Sequence, residues 1–180
     1  MKYCNQCGQT VALSVPDGDH KPRYVCMSCG MIHYQNPLIV AGCVPEHDDR
    51  ILLCKRAIEP RYGFWTVPAG FMELDESLPA AAARETLEEA CAEVEIGAMI
   101  ASVDVLQARQ VHFFFAAKLP VAEFAAGPES LEVELVTPDS IPWDDLAFPS
   151  VRIAIEQYLR NKASGRDDLI VCEAPRRKLP

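Results

Sequence analysis

Residues 70–92 read Gly70-Phe-Met-Glu-Leu-Asp-Glu76-Ser77-Leu-Pro79-Ala-Ala-Ala-Ala-Arg84-Glu85-Thr86-Leu-Glu88-Glu89-Ala-Cys91-Ala92. The stretch predicts a helix from about Ser77 to Cys91. Ser77 is a suitable N-cap, Pro79 falls in the first turn where a missing N–H costs nothing, and Ala80 to Ala83 repeats the strongest helix former. On a helix, Glu85 is three residues from Glu88 and four from Glu89, so the three carboxylates share one face. Like charges at that spacing repel by roughly a few tenths of a kcal/mol per pair. A solvated acidic face is the ordinary explanation. It leaves unexplained Arg84 beside the cluster, Glu76 before it, and the Pro-Ala-Gly turn that ends at Gly70. Clustered carboxylates with a loop carbonyl are the oxygen ligands a hard divalent cation takes, and such a cation can clamp a pyrophosphate and activate water.

The sequence on either side supplies a sheet for this helix. Leu38 to Val44 reads as a buried strand, His47-Asp48-Asp49 as a turn, and Arg50 to Arg56 as a second strand, together a hairpin. Ala98 to Gln107 and Gln110 to Lys118 predict two more strands, and Leu131 to Val136 a short one. A last helix is expected from about Ser150 to Asn161. Strands with helices on either side indicate an α/β layered domain. The segment ending Arg176-Arg177-Lys178 is expected to be a loose tail. The run Phe113-Phe114-Phe115 breaks strand alternation, which puts at least one ring on a face away from the main core; a homodimer interface is the expectation drawn from it.

The first 35 residues differ in texture. They hold Cys4-x-x-Cys7-Gly8 and, eighteen residues on, Cys26-x-x-Cys29-Gly30, but no apolar run able to form a core. Two such pairs supply four thiolates for a tetrahedral zinc ion, and glycine after each second cysteine suits a tight knuckle. A redox reading is weaker, because two motifs occur and neither opens a helix after a strand. A four-sulfur site is closed, so its zinc is expected to be structural. His20 and His33 lie nearby and are expected to be exposed and unneeded as ligands.

The 180 residues are 49% hydrophobic and 24% charged, the balance of an ordinary globular chain long enough to bury a core without disulfides. No apolar run reaches the roughly 18 residues of a membrane span, and no secretory leader is visible, so a cytoplasmic, disulfide-free protein is expected. The net charge of −9 argues against general binding to nucleic acid or anionic membranes. An acidic small substrate stays possible if a cation bridges the two.

Gly70-x5-Glu76-x7-Arg84-Glu85-Thr86-x-Glu88-Glu89 resembles the Nudix box, G-x5-E-x7-R-E-U-x-E-E-x-G-U, where U is aliphatic. Every charged position matches. Thr86 is not strictly aliphatic, Cys91 replaces the usual glycine, and Ala92 replaces a larger residue. The glycine ends the helix in that family, so the departure bears on the turn and not on the metal site; Cys91 is expected to be buried and structural. A zinc ribbon before a Nudix domain occurs in NADH pyrophosphatase-like proteins and in a bacterial and plant group of FAD and ADP-ribose pyrophosphatases. Tyr34-Gln-Asn-Pro37, Leu52-Leu-Cys-Lys-Arg56, Trp65-Thr-Val-Pro-Ala-Gly70, Gly127-Pro-Glu-Ser-Leu-Glu132 and Asp145-Leu-Ala-Phe148 resemble the second group. The likeness covers about residues 3 to 160. The Ser-Gln-Pro-Trp-Pro-Phe-Pro stretch usual downstream in the NADH group is missing.

The resemblance implies a Nudix α/β/α sandwich with a mixed sheet at residues 36–165, a zinc ribbon at 1–35 and a tail at 166–180. It implies hydrolysis of FAD or ADP-ribose, releasing AMP, with Mg²⁺ or Mn²⁺. Glu85 and Glu89 are the expected metal ligands, with Glu88 as ligand or water-orienting group and a carbonyl of Ala69 or Gly70 completing the set. Arg84 is expected to orient a glutamate and Glu76 to pin the loop to the helix. The general base is expected on a later loop, Glu132 first and Glu129 second. Arg56, Phe64 and Glu129 are candidates for substrate contact, with anchoring of the core or loop as the other reading of Phe64 and its neighbour Trp65. The alternatives are NADH or NAD-capped RNA hydrolysis, which the missing stretch and the acidic charge weigh against, and a non-catalytic sensor of ADP-ribose, which would not be expected to keep every box glutamate.

Overall fold

The computed structural model describes residues 1–175. The chain divides into two units, Met1–Pro37 and a second that begins at Leu38. In the first, three short antiparallel strands follow in order, β1 (Val11–Ser14), β2 (Arg23–Cys26) and β3 (Ile32–His33).

The second unit is built on a mixed sheet. Its strands are β4 (Leu38–His47), β5 (Arg50–Arg56), β6 (Trp65–Thr66), β7 (Ala69–Phe71), β8 (Glu95–Val105), β9 (Gln110–Lys118), β10 (Ser130–Val136) and β11 (Ile170–Glu173). The helix α1 (Leu78–Ala90) lies between β7 and β8, and α2 (Pro149–Ser164) between β10 and β11. The main order is β10-β5-β4-β9-β8-β11, with β6 paired to β5 and β7 to β4. The β4–β9 and β8–β11 pairs are parallel. Among the described residues no helix is long and apolar enough to cross a membrane.

Each sheet face carries its own helix. On one, Ile51, Leu53, Phe114 and Val103 pack with Val151, Ala154 and Ile155 of α2. On the other, Ala41, Cys43 and Phe115 pack with Ala81 and Ala82 of α1. This is the expected α/β/α sandwich. It also accounts for the triple phenylalanine within one chain. Phe114 enters the α2 core, while Phe115 and the half-buried Phe113 enter the α1 core, so both faces bury a ring at roughly 1.5–3 kcal/mol each.

Helix α1 begins as the sequence predicts. The hydroxyl of Ser77 accepts from the Ala80 N–H at 3.4 Å. Its end departs from expectation, because Cys91 is exposed rather than buried. Cys91 takes the left-handed conformation, φ 49° and ψ 34°, and its N–H closes on the Leu87 carbonyl at 2.9 Å. The chain turns where glycine normally would, with a thiol facing solvent. The expected tail from residue 166 also differs: four of its residues form β11, held in place because Gln157 and Asn161 of α2 both donate to the Asp168 carbonyl at 2.9 Å. The expected loose end at Arg176-Arg177-Lys178 lies outside the described residues.

Candidate active site

Pairing of β7 with β4 sets Ala69-Gly70 beside the middle of α1. The two buried glutamates of α1 close on this dipeptide. Glu89 accepts from the Ala69 N–H at 3.3 Å, and the Glu85 carboxylate lies against the α-carbon of Gly70. Glu85 is 9% exposed and Glu89 6%. Burial pushes the Glu89 carboxyl up to about 8, the Ala69 N–H opposes this, and the charge of Glu85 adds to it. Burial also raises Glu85, against the pull of Arg84.

Arg84 organises the rest. It grips Glu76 through two nitrogens, at 3.0 and 2.7 Å, and donates to the Phe71 carbonyl at 3.0 Å. Its remaining nitrogen reaches Glu85 at 2.7 Å and Glu88 at 2.9 Å. Arg84 holds Glu76 at about 2, and Glu76 also accepts the Glu73 N–H at 2.8 Å, which ties the loop to the helix. Glu88 is the exposed member of the three.

These groups form one end of a cavity of about 930 Å³. Arg56, Ala69, Gly70, Arg84, Glu85, Glu88, Glu89 and Glu129 line it; Phe64, Trp65 and Glu132 do not. Glu132 points along the sheet to Lys55, with Nζ 3.2 Å from its carboxylate. Glu129 sits on the loop before β10, where the Gly127 N–H donates to the Glu89 carbonyl at 3.0 Å and the Ala125 N–H to the Ala90 carbonyl at 2.9 Å. These bonds satisfy carbonyls at the end of α1 and bring Glu129 beside the buried pair, whose pKa values its charge helps to raise. Of the two later glutamates, the cavity is thus lined by Glu129 and not by Glu132. Phe64 is covered by Arg61, whose guanidinium lies 5.1 Å from its ring centre. Phe148 does line the cavity, as do Phe71 and Phe114, and the Arg56 guanidinium lies 5.1 Å from the centre of the Phe148 ring. Gln110, His112 and Ser150 also line it, and sequence reasoning missed all three. The available signal was a lone histidine within the otherwise apolar strand Val111 to Ala117.

The donor set of α1 fits a hard divalent cation. Two buried, like-charged carboxylates face a backbone turn, and Arg84 is shared among Glu76, Glu85 and Glu88. Among the described residues, the one group of metal-ligating atoms drawn within 4.8 Å of each other is Cys4, Cys7, Cys26 and Cys29. Cys4 and Cys29 Sγ are 3.7 Å apart, Cys7 and Cys26 Sγ 3.5 Å. A tetrahedron with zinc–sulfur bonds of about 2.3 Å has edges of about 3.8 Å, so the residues fit zinc. Gly8 and Gly30 take φ of 73° and 74° at the two knuckles. His20 is exposed as expected, but His33 is buried, with Nε2 3.3 Å from Cys4 Sγ. It sits where an N–H donor would stabilise a thiolate.

A family model described as the NUDIX domain matches residues 36–157, and one described as Nudix N-terminal, a zinc ribbon, matches residues 2–35. A crystal structure of a NUDIX hydrolase from Nitrosomonas europaea is 47% identical, with a TM-score of 0.92 over 96% of this chain and 98% of its own. The NAD-capped RNA hydrolase NudC of Photorhabdus laumondii is 29% identical over 81% of this chain and 53% of its own length. The chain thus spans about half the length of that relative. An ADP-ribose pyrophosphatase of Methanocaldococcus jannaschii is 27% identical over 72% of this chain and 77% of its own.

Proposed function

The chain belongs to the Nudix domain family, and on that footing we propose that it is a Mg²⁺- or Mn²⁺-dependent pyrophosphatase acting on ADP-ribose or FAD. Water attacks one phosphorus, the P–O–P anhydride breaks, and AMP leaves with ribose 5-phosphate or FMN. The observation that carries this reading is the buried Glu85–Glu89 pair closed on Ala69-Gly70 at one end of a cavity large enough for a nucleotide. Glu85 and Glu89 would hold the cation, with Glu88 at its open side. Bound there, the cation would neutralise the pyrophosphate and lower the pKa of a bound water.

The remaining roles belong to the chain's own residues. Arg84 fixes Glu85 and Glu88 while Glu76 fixes Arg84. Glu129 is the base that accepts the proton of the attacking water, since its loop is hydrogen-bonded to the end of α1 beside the buried pair. Arg56 offers the cavity a cation for a phosphate, and its stack on Phe148 holds it there.

A second reading, hydrolysis of NADH or NAD-capped RNA, is favoured by the likeness to NudC. AMP release from FAD, ADP-ribose, NADH, NAD-capped RNA, a diadenosine polyphosphate and a nucleoside triphosphate, each with Mg²⁺, separates the two. Fastest turnover of ADP-ribose or FAD is the expected result. Preference for NADH or capped RNA selects the second reading, and no turnover of any substrate defeats both.

A further inference from the structure

The cavity has a second pole away from the carboxylates. Phe71 of β7 stands opposite Val40 of β4, and Val40 stands opposite His112 of β9. Two strand spacings, about 10 Å, therefore separate the strand that carries Gly70 from the strand that carries His112. Gln110, His112 and Phe114 alternate along β9, so they share one face, and all three line the cavity with Ser150. His112 is 8% exposed and Ser150 1%.

Both imidazole nitrogens are engaged. Nδ1 lies 3.0 Å from Ser150 Oγ, and Nε2 lies 2.9 Å from Gln110 Oε1. A carboxamide oxygen only accepts, so the network assigns the proton to Nε2, and Nδ1 accepts from the Ser150 hydroxyl. Gln110 has then spent its oxygen and kept its amide Nε2 as a donor. Among the described residues nothing accepts from that nitrogen, and no buried side-chain nitrogen or oxygen lacks a partner, so it keeps access to solvent on a residue that lines the cavity. Burial holds His112 down at about 4, which leaves this pole uncharged near neutrality. An uncharged donor beside Phe114 and Phe148 suits a flat ring and not a phosphate.

We propose that Gln110 is a specificity-determining residue, its Nε2 donating to an acceptor atom on the edge of a neutral heteroaromatic ring of the substrate, with His112 and Ser150 as positioning residues that fix the carboxamide. The proposal rests on the nucleotide pyrophosphatase reading above. Two rings have this chemistry: the adenine common to ADP-ribose, NADH and FAD, and the isoalloxazine of FAD.

The test is steady-state kinetics of Gln110→Ala, Gln110→Glu and Ser150→Ala with ADP-ribose, NADH and FAD. Gln110→Ala should raise KM about tenfold, the worth of one neutral hydrogen bond, with little change in kcat. A rise for all three substrates assigns the adenine; a rise for FAD alone assigns the isoalloxazine. Gln110→Glu keeps an oxygen for His112 and loses the outward donor, so it should follow Gln110→Ala. Ser150→Ala should give a smaller rise with the same pattern of substrates. Unchanged KM throughout, a fall in kcat alone, or Gln110→Glu behaving as wild type would overturn the proposal. Calorimetric binding of AMP and FMN to wild type and Gln110→Ala makes the same comparison without turnover. There, loss of about tenfold in affinity for one ring supports it and unchanged affinities for both reject it. An enzyme inactive on every substrate would instead defeat the pyrophosphatase reading.

Discussion

The carboxylate of Glu85 lies so close to the α-carbon of Gly70 that a β-carbon built there falls on the carboxyl group itself. Glycine is required here by a side chain on the neighbouring helix and not by a left-handed backbone of its own. Gly70→Ala should push the Glu85 carboxylate away from the backbone while leaving the pairing of β7 with β4 intact. A displacement of about 1 Å at a reacting centre costs about a hundredfold in rate. kcat should fall by that order with a thermal midpoint within a few degrees of wild type. Full activity in the folded variant would remove Glu85 from the centre of the site.

His112 gives the fold a dependence on acid. Its folded pKa is about 4, set by burial, against an ordinary value of 6.5. Between those values the unfolded chain binds the proton and the folded chain does not, so stability falls as pH falls through the window. From pH 7 to pH 5 this one group should cost about 2 kcal/mol. Urea unfolding at the two pH values should show His112→Gln losing less stability than wild type by that amount. Equal losses in both proteins would show that the imidazole is charged or solvated in the fold.

How much of this was legible in the sequence depended on the range of the contacts. Glu85, Glu88, Glu89, Arg84 and Glu76 belong to one helix and its approach, so spacing alone set their relation, and the contacts of Arg84 follow it. The cysteine pairs were equally local in pattern. Glu129 and Glu132 could not be ranked from spacing, because the choice turns on hydrogen bonds between the loop at Ala125 and Gly127 and the end of α1, far apart in sequence. That Phe148 lines the cavity and Phe64 does not has a similar origin: Arg56 and Arg61 each took a different aromatic partner. The burial of His33 depends on a sulfur 29 positions away. The triple phenylalanine breaks alternation because the sheet buries both faces, which a pattern judged against one core does not anticipate.

Cys91 offers a gain in stability. A residue with a β-carbon at φ 49° bears a cost of roughly 1–2 kcal/mol that glycine avoids, partly offset by the greater freedom of glycine in the unfolded chain. Cys91→Gly should stabilise the protein by about 0.5–1 kcal/mol, raising the thermal midpoint by a few degrees. The thiol is exposed and outside the cavity lining, so activity should not change. A lower midpoint would mean that the turn depends on the cysteine side chain.

Zinc should be the main support of the first unit. Its strands are two to four residues long, and Cys4 and Cys26 are its buried hydrophobic residues in the described chain. Such a module folds on metal binding. The purified protein should hold one zinc per chain by metal analysis. Chelation should abolish the amide dispersion of Met1–Pro37 while that of the second unit persists. A dispersed, metal-free first unit would show that the strands suffice alone.

The two later glutamates make the sharpest comparison. Glu129 lines the cavity, and its charge acts on both Glu85 and Glu89; Glu132 lies on β10 paired with Lys55, about half exposed, and lines no part of it. A general base contributes about 10²–10⁴-fold, whereas an exposed ion pair contributes little to stability and nothing to the chemistry. Glu129→Gln should lower kcat by at least about a hundredfold with KM little changed. Glu132→Gln should leave both within about twofold. The opposite ranking would require the loop before β10 to rearrange when substrate binds, bringing Glu132 in and carrying Glu129 out. Crystallising each variant with AMP would then show which carboxylate faces the phosphate.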